Sequence, residues 1–395
     1  MISEKMKQLA AGNSAIRAMF EEGNRLAALY GRDHVYDFSL GNPNFPAPDV
    51  VRQSYIDVLN EEDSVLIHGY MPNAGFEDVR AEVANSINRR FGTAFNHNNI
   101  IMTVGAAGGL NVILKTLLNP GDEVIALSPY FVEYGNYVAN YDGKLVEVPT
   151  DSETFQPDPE RLSAAINEKT KAIIINNPNN PTGVIYPAGV IEQLAAVLEA
   201  KQQELGTSIY LISDEPYREL AYDNNAVPYL PCYYRNTIVG YSWSKSLSLP
   251  GERLGYLVIP SEIDDAELIF SAACIANRVL GFVNAPSLTQ RAVKRCLDAK
   301  VNVDAYDANR KLLYKGLTDC GFTCVRPDGA FYMWVKSPVP NDKEFVNTAK
   351  KYNLLLVPGS SFAGPGYVRL AYCVSPEMIR NSLPAFQKLA AEYNL

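Results

Sequence analysis

The stretch Thr170–Gly183 reads TKAIIINNPNNPTG. A short run of isoleucines between turn signals is a buried strand rather than a helix, and the asparagines and prolines that follow cannot continue either element. Few folds put so much asparagine and proline directly after a buried strand. The same grammar recurs on both sides. IIMTV (100–104) runs straight into GAAGGL, which opens a helix to about Leu118. NPGDEVIAL, which runs into SPYFVEY, and SIYLISDEPY and TIVGYS are further apolar runs that lead into polar or aromatic residues, with a helix predicted over 190–205 and stopped by Gly206. Strands alternating with helices predict an α/β fold with a mostly parallel sheet, whose ligands sit at the strands' C-terminal ends.

A chain of 395 residues exceeds the size at which one core usually serves, so two domains are expected. After Pro260 the pattern changes. A helix near 264–276 and a long helical stretch to Asp319 precede FTCVRP, GAFYMWVKS, LLLVPGSSF and YVRLAYC, which read as a second, antiparallel sheet. Ser375-Pro376-Glu377 starts a last helix, and Asn13 and Ser14 are candidate caps for an early one. VYDFSL (35–40) alternates like a strand. A net charge of −9 argues against nucleic acid or an anionic membrane as partner, so basic groups in a site need local anions. The six scattered cysteines suggest neither a disulfide framework nor a metal site, and fit a reducing cytoplasm. MISEKMKQLAAG lacks the apolar centre of a secretion signal, and no apolar run reaches a membrane span.

YSWSKSLSLPGERLGY (241–256) places Lys245 among Ser242, Ser244 and Ser246, with Arg253 after a Pro-Gly turn. A lysine amine loses its proton when its surroundings disfavour charge, and it can then form a Schiff base with a carbonyl. Hydroxyls and a guanidinium suit a phosphate ester. An aldehyde bearing a phosphate describes pyridoxal phosphate. The segment resembles the cofactor-lysine region of the class I/II aminotransferases, pyridoxal-phosphate enzymes of fold type I. Other motifs appear in family order from about residue 35 to the end.

The resemblance implies a role for each matching residue. Gly41 offers backbone near the substrate carboxylate. Tyr70, in YMPNAG, reaches the cofactor phosphate of a neighbouring subunit. Gly105, Ala106 and Ala107 form the phosphate-binding turn, with backbone N–H groups as donors where the family often has a hydroxyl. Phe131, or Tyr130 as second choice, stacks on the cofactor ring. Asn180 and Tyr217 bond the phenolic oxygen, and Asn180 also lies near the carboxylate. Asp214, in DEPY, pairs with the pyridine nitrogen. Ser242, Ser244 and Arg253 join the phosphate site around Lys245. Arg369 interrupts an apolar strand face; a buried guanidinium needs an anion, and in the family the matching arginine clamps the substrate carboxylate. His68 is set aside as an acid–base group, because the family uses its lysine. No metal site is expected.

The implied fold is a large domain with a mostly parallel seven-stranded sheet over 46–285, and a smaller α+β domain from 1–45 and 286–395. The implied protein is a cytoplasmic homodimer that moves an amino group between an amino acid and a 2-oxo acid. Two alternatives stay open: a lyase or other amino-acid reaction on the same scaffold, and a ligand-sensing domain without catalysis. The acidic chain, starting near the first family helix, speaks against the second. For the substrate side chain, Ala107 stands where some bacterial aspartate aminotransferases carry a lysine. Leu280 falls where the animal enzymes carry an arginine, and Arg278 lies two residues earlier. A preference for neutral side chains follows, because a second carboxylate would be desolvated without a partner.

Overall fold

Six short apolar runs and one amphipathic one form the larger sheet. The structure, a computed structural model, describes residues 2–11 and 15–395. The strands are β1 (Ile100–Thr103), β2 (Glu123–Ser128), β3 (Lys144–Pro149), β4 (Thr170–Asn176), β5 (Tyr210–Asp214), β6 (Thr237–Ser242) and β7 (Gly255–Val258). Their order is β1-β7-β6-β5-β4-β2-β3. All run parallel except β7, which is antiparallel to both neighbours. β3 is the one largely exposed strand, and its Lys144, Glu147 and Pro149 blunt the sheet edge against pairing with another chain.

Alternation divides each central strand between two cores. Ile173, Ile175 and Leu211 pack with Ile191, Leu194 and Leu198 of the helix Ala188–Leu205. Ala172, Ile174 and Ile212 face the other way, against Leu110, Ile113 and Leu114 of the helix Gly105–Leu117. Burial on both sides explains why these strands read as unbroken apolar runs. Each such side chain contributes roughly 1.5–3 kcal/mol. The sheet is therefore a stiff frame, and its C-terminal edge is a fixed row of attachment points.

A second, antiparallel sheet comprises Cys324–Val325, Tyr332–Lys336, Val357–Pro358 and Tyr367–Ala371. Its core holds Phe331, Tyr332, Leu370, Ile379 and Phe386 together with Met19 and Phe38, so both ends of the chain share it. VYDFSL forms only a two-residue strand, Tyr36–Asp37, which pairs in parallel with Leu354–Leu355. The predicted strand LLLVPGSSF is split: Leu354–Leu355 takes that partner, and Val357–Pro358 joins the four-stranded sheet. The expected long helix to Asp319 is two helices, Ser287–Lys294 and Val303–Asp319, because Asn302 caps the second through Ala305 N at 3.0 Å. Ser375 caps the last helix through Met378 N, and Gly206 ends its helix at φ 65°. The proposed caps Asn13 and Ser14 lie outside the described residues. Among the described residues no helix is long and apolar enough to cross a membrane, and no His/Cys/Asp/Glu group has a metal-binding arrangement.

Candidate active site

Asn176, Asp214 and Ser242 end β4, β5 and β6, and all three open into one cavity of about 300 Å³. Gly41, Ala106, Ala107, Phe131, Asn180, Tyr217, Ser244, Lys245, Arg253 and Arg369 complete its predicted lining. Segments distant in sequence meet here because the parallel strands finish at the same edge, and residues of the antiparallel sheet, Tyr332 and Arg369, line the same cavity.

Asp214 is buried on the cavity floor. Its Oδ2 accepts from Tyr134 Oη at 2.6 Å, while Oδ1 has no partner. Asn176, its register neighbour on β4, donates Nδ2 to the Asp214 carbonyl at 2.9 Å. Burial pushes the Asp214 carboxyl up to about 6, partly offset by the Tyr134 hydroxyl.

Lys245 stands across the cavity on the short turn Trp243–Ser246. Its Nζ donates to Gly41 O at 2.6 Å and lies 5.2 Å from the centre of the Phe331 ring. Burial lowers it to about 8; Cys373 raises it, and the Arg369 and Arg253 cations lower it further. Gly41 is held by space: a Cβ there would collide with the Tyr332 hydroxyl.

Arg369 is 2% exposed, between the rings of Tyr332 at 4.5 Å and Phe362 at 4.6 Å. Nη1 donates to Asn180 Oδ1 at 3.0 Å and Nη2 to Ser39 O at 2.7 Å, while Nε is unpartnered. No carboxylate of the described residues pairs with it, and burial lowers its pKa. Tyr217 shares a 2.8 Å hydrogen bond with Tyr332. Burial keeps both phenols protonated, Tyr332 at about 12.

At the other end, Gly105 takes φ 76° at the start of its helix. A Cβ there would come within 2.6 Å of Arg253 Nη2. Arg253 is anchored on Pro250 O at 2.9 Å and Val104 O at 3.3 Å. The first-turn N–H groups, Ser242, Ser244 and Arg253 lie where they could hold an anion. Phe131 faces the cavity, whereas Tyr130 turns to Glu147 at 2.8 Å.

Tyr70 is not brought to this cavity. It is 94% exposed, beside a separate hollow with Phe282, Val283 and Asn284. Arg278 is exposed on the helix Ala266–Val279 and does not line the cavity either. Several lining or supporting residues were not singled out in the sequence: Tyr134 and Asn176 behind Asp214, Tyr332 against Gly41, and Tyr137 on the wall. Asn176 begins the NNPNNP run and was the most findable of them.

The profile of aminotransferase class I and II matches residues 33–386. A solved amino transferase from Eubacterium rectale superposes with a TM-score of 0.97 over 100% of both chains, at 45% identity. The aspartate/prephenate aminotransferase of Thermus thermophilus is 33% identical over 354 residues, 88% of this chain and 89% of its own length. Aromatic-amino-acid aminotransferase 2 of Thermococcus litoralis is 30% identical over 395 residues, 97% of each chain.

Proposed function

This chain belongs to the class I and II aminotransferases, a pyridoxal-phosphate-dependent family, and from that premise we propose which residues do its chemistry and which substrates it takes. Its reaction moves an amino group between an amino acid and a 2-oxo acid. One observation carries the assignment: a half-buried lysine, a buried carboxylate and a buried guanidinium face the same cavity, and none of them is ion-paired with a described residue. Burying unpaired charges costs several kcal/mol unless a ligand completes them.

Pyridoxal phosphate fits that donor set. Bound, it supplies an aldehyde that joins an amine and a pyridine ring that withdraws electrons. Asp214 would hold the pyridine nitrogen through the unpartnered Oδ1. Asn180 and Tyr217 would hold the phenolic oxygen, and Phe131 would cover the ring. The N–H groups at 105–107, Ser242, Ser244 and Arg253 would hold the phosphate. Lys245 binds the cofactor and moves the substrate Cα proton at Nζ; an amine near 8 has both protonation states within reach at neutral pH. Arg369, Asn180 and Gly41 orient the α-carboxylate, which fixes the Cα–H bond before it breaks.

The seven-stranded unit, 46–285, is the large domain in this reading, and 1–45 with 286–395 is the small one. A homodimer brings Tyr70 to the partner's phosphate. Six free cysteines support a reducing, cytoplasmic setting.

The substrate side chain is neutral, aliphatic or aromatic. Among the described residues, the cations on the cavity wall are Lys245, Arg253 and Arg369, all used above, and Ala107 adds none. The aromatic-amino-acid relative supports this. A dicarboxylate is the second reading, favoured by the aspartate/prephenate relative and by an exposed Arg278 able to serve a partner's site. The test is kcat/KM for aspartate, alanine, methionine and phenylalanine in wild type and Arg278→Ala. Neutral preference in both proteins supports the first reading. Aspartate preference that disappears with Arg278 overturns it.

A further inference from the structure

Four consecutive carbonyls, Phe38 to Gly41, each accept from a different donor. Phe38 O accepts from Ala371 N at 2.8 Å, and Ser39 O from Arg369 Nη2 at 2.7 Å. Leu40 O accepts from Cys373 Sγ at 3.6 Å, and Gly41 O from Lys245 Nζ at 2.6 Å. Two of these donors are the groups assigned to the substrate carboxylate and to proton transfer. The thiol bonds the carbonyl between theirs. Cys373 is buried and stands off the cavity wall, so it meets neither substrate nor cofactor directly. Burial pushes its thiol up to about 12, which keeps the S–H available as a donor.

Each peptide plane is stiff, so the Ser39 carbonyl turns with the Leu40 N–H and the Leu40 carbonyl with the Gly41 N–H, and only the φ and ψ of one residue separate each plane from the next. A carboxylate that draws Arg369 away from Ser39 O loosens the plane next to Leu40. Release of Gly41 O by Lys245 does the same from the other side. The Cys373 bond restrains the carbonyl through which the two movements communicate. We infer that Phe38–Gly41 is a strap linking carboxylate recognition by Arg369 to the Lys245 amine, with Cys373 as the positioning residue that holds it. The catalytic roles of Arg369 and Lys245 come from the proposed function; the hold on the amine does not depend on them.

The test measures Lys245 directly. In cofactor-free protein, the rate of reductive methylation at Lys245 is read by peptide mass spectrometry, and kcat/KM is measured on the loaded enzyme. Cys373→Ala removes the donor, and Cys373→Val does so while keeping more volume, should the alanine variant fail to fold. Expected are labelling at least about threefold faster and kcat/KM lower by about five- to tenfold, in line with loss of one hydrogen bond. Cys373→Ser, which keeps a donor, returns both to within about twofold of wild type. Wild-type labelling in the donor-less variants, or a serine variant indistinguishable from alanine, overturns the inference. Faster labelling with unchanged kcat/KM overturns the link between the strap and turnover, while the role given to Lys245 is tested separately by Lys245→Ala.

Discussion

The cavity floor and the surface around Tyr70 are assigned to one reaction, yet they are built in opposite ways. Asp214, Asn180 and Arg369 are each at most 4% exposed and are fixed by named partners. Tyr70 is 94% exposed. Just upstream, the helix Ser64–His68 leaves Val65 and Leu66 open, and the helix leading to Phe282 leaves Leu268, Ile275 and Val279 open. The floor residues are held by partners within one chain. The Tyr70 face is apolar and uncovered, which is the condition of a surface awaiting another protein. On the proposed reading, the site divides between parts the frame holds and a part that a second copy would supply.

Breaking the floor should have the largest effect. Asp214→Asn removes the charge meant for the pyridine nitrogen, and kcat should fall about a thousandfold. The same change should stabilise the cofactor-free protein. The folded carboxyl, near 6, lies above its ordinary value of 3.8, so the folded state holds its proton to higher pH. Its destabilisation is absent below about pH 4, grows between 4 and 6, and is complete above 6. Asparagine lacks that cost, so unfolding free energy at pH 7 should rise by about 2 kcal/mol, with the advantage gone at pH 4. Denaturant melts at both pH values check this; a destabilised variant at pH 7 would contradict it. Arg369→Lys comes next. Without the bidentate fork, kcat/KM should fall about a hundredfold, mostly through KM. An unchanged KM would remove Arg369 from the carboxylate.

Tyr70→Phe should have the smallest effect and sharpens the contrast, because no described residue of its own chain bonds that hydroxyl. Cofactor affinity should weaken about five- to tenfold with the melting temperature unchanged. Sedimentation should give a dimer, and an active monomer at dilute concentration would remove the shared site.

The floor was legible in sequence because its residues lie where strands end. NNPNNPTG, DEPY and SKSLSLPGER each follow an apolar run directly, so the frame and its polar edge are read in one pass. Tyr134, Tyr332 and Cys373 were not legible. They act through contacts with Asp214, Gly41 and Leu40, which only the folded chain brings near. The strand split at Leu356 was hidden for the same reason: its two halves pair with segments far apart in sequence. Arg278 shows the reverse case, a suggestive position that the fold leaves outside the cavity of its own chain.

The most direct measurement is titration of cofactor-free protein with pyridoxal phosphate, following the visible absorption of the bound form in wild type and in Lys245→Ala. Wild type should develop a pH-sensitive band saturating at one equivalent per chain, and the variant should develop none and lose turnover. The same band in Lys245→Ala would show that the cofactor is held by another amine, and the cavity described here would not be where the chemistry happens.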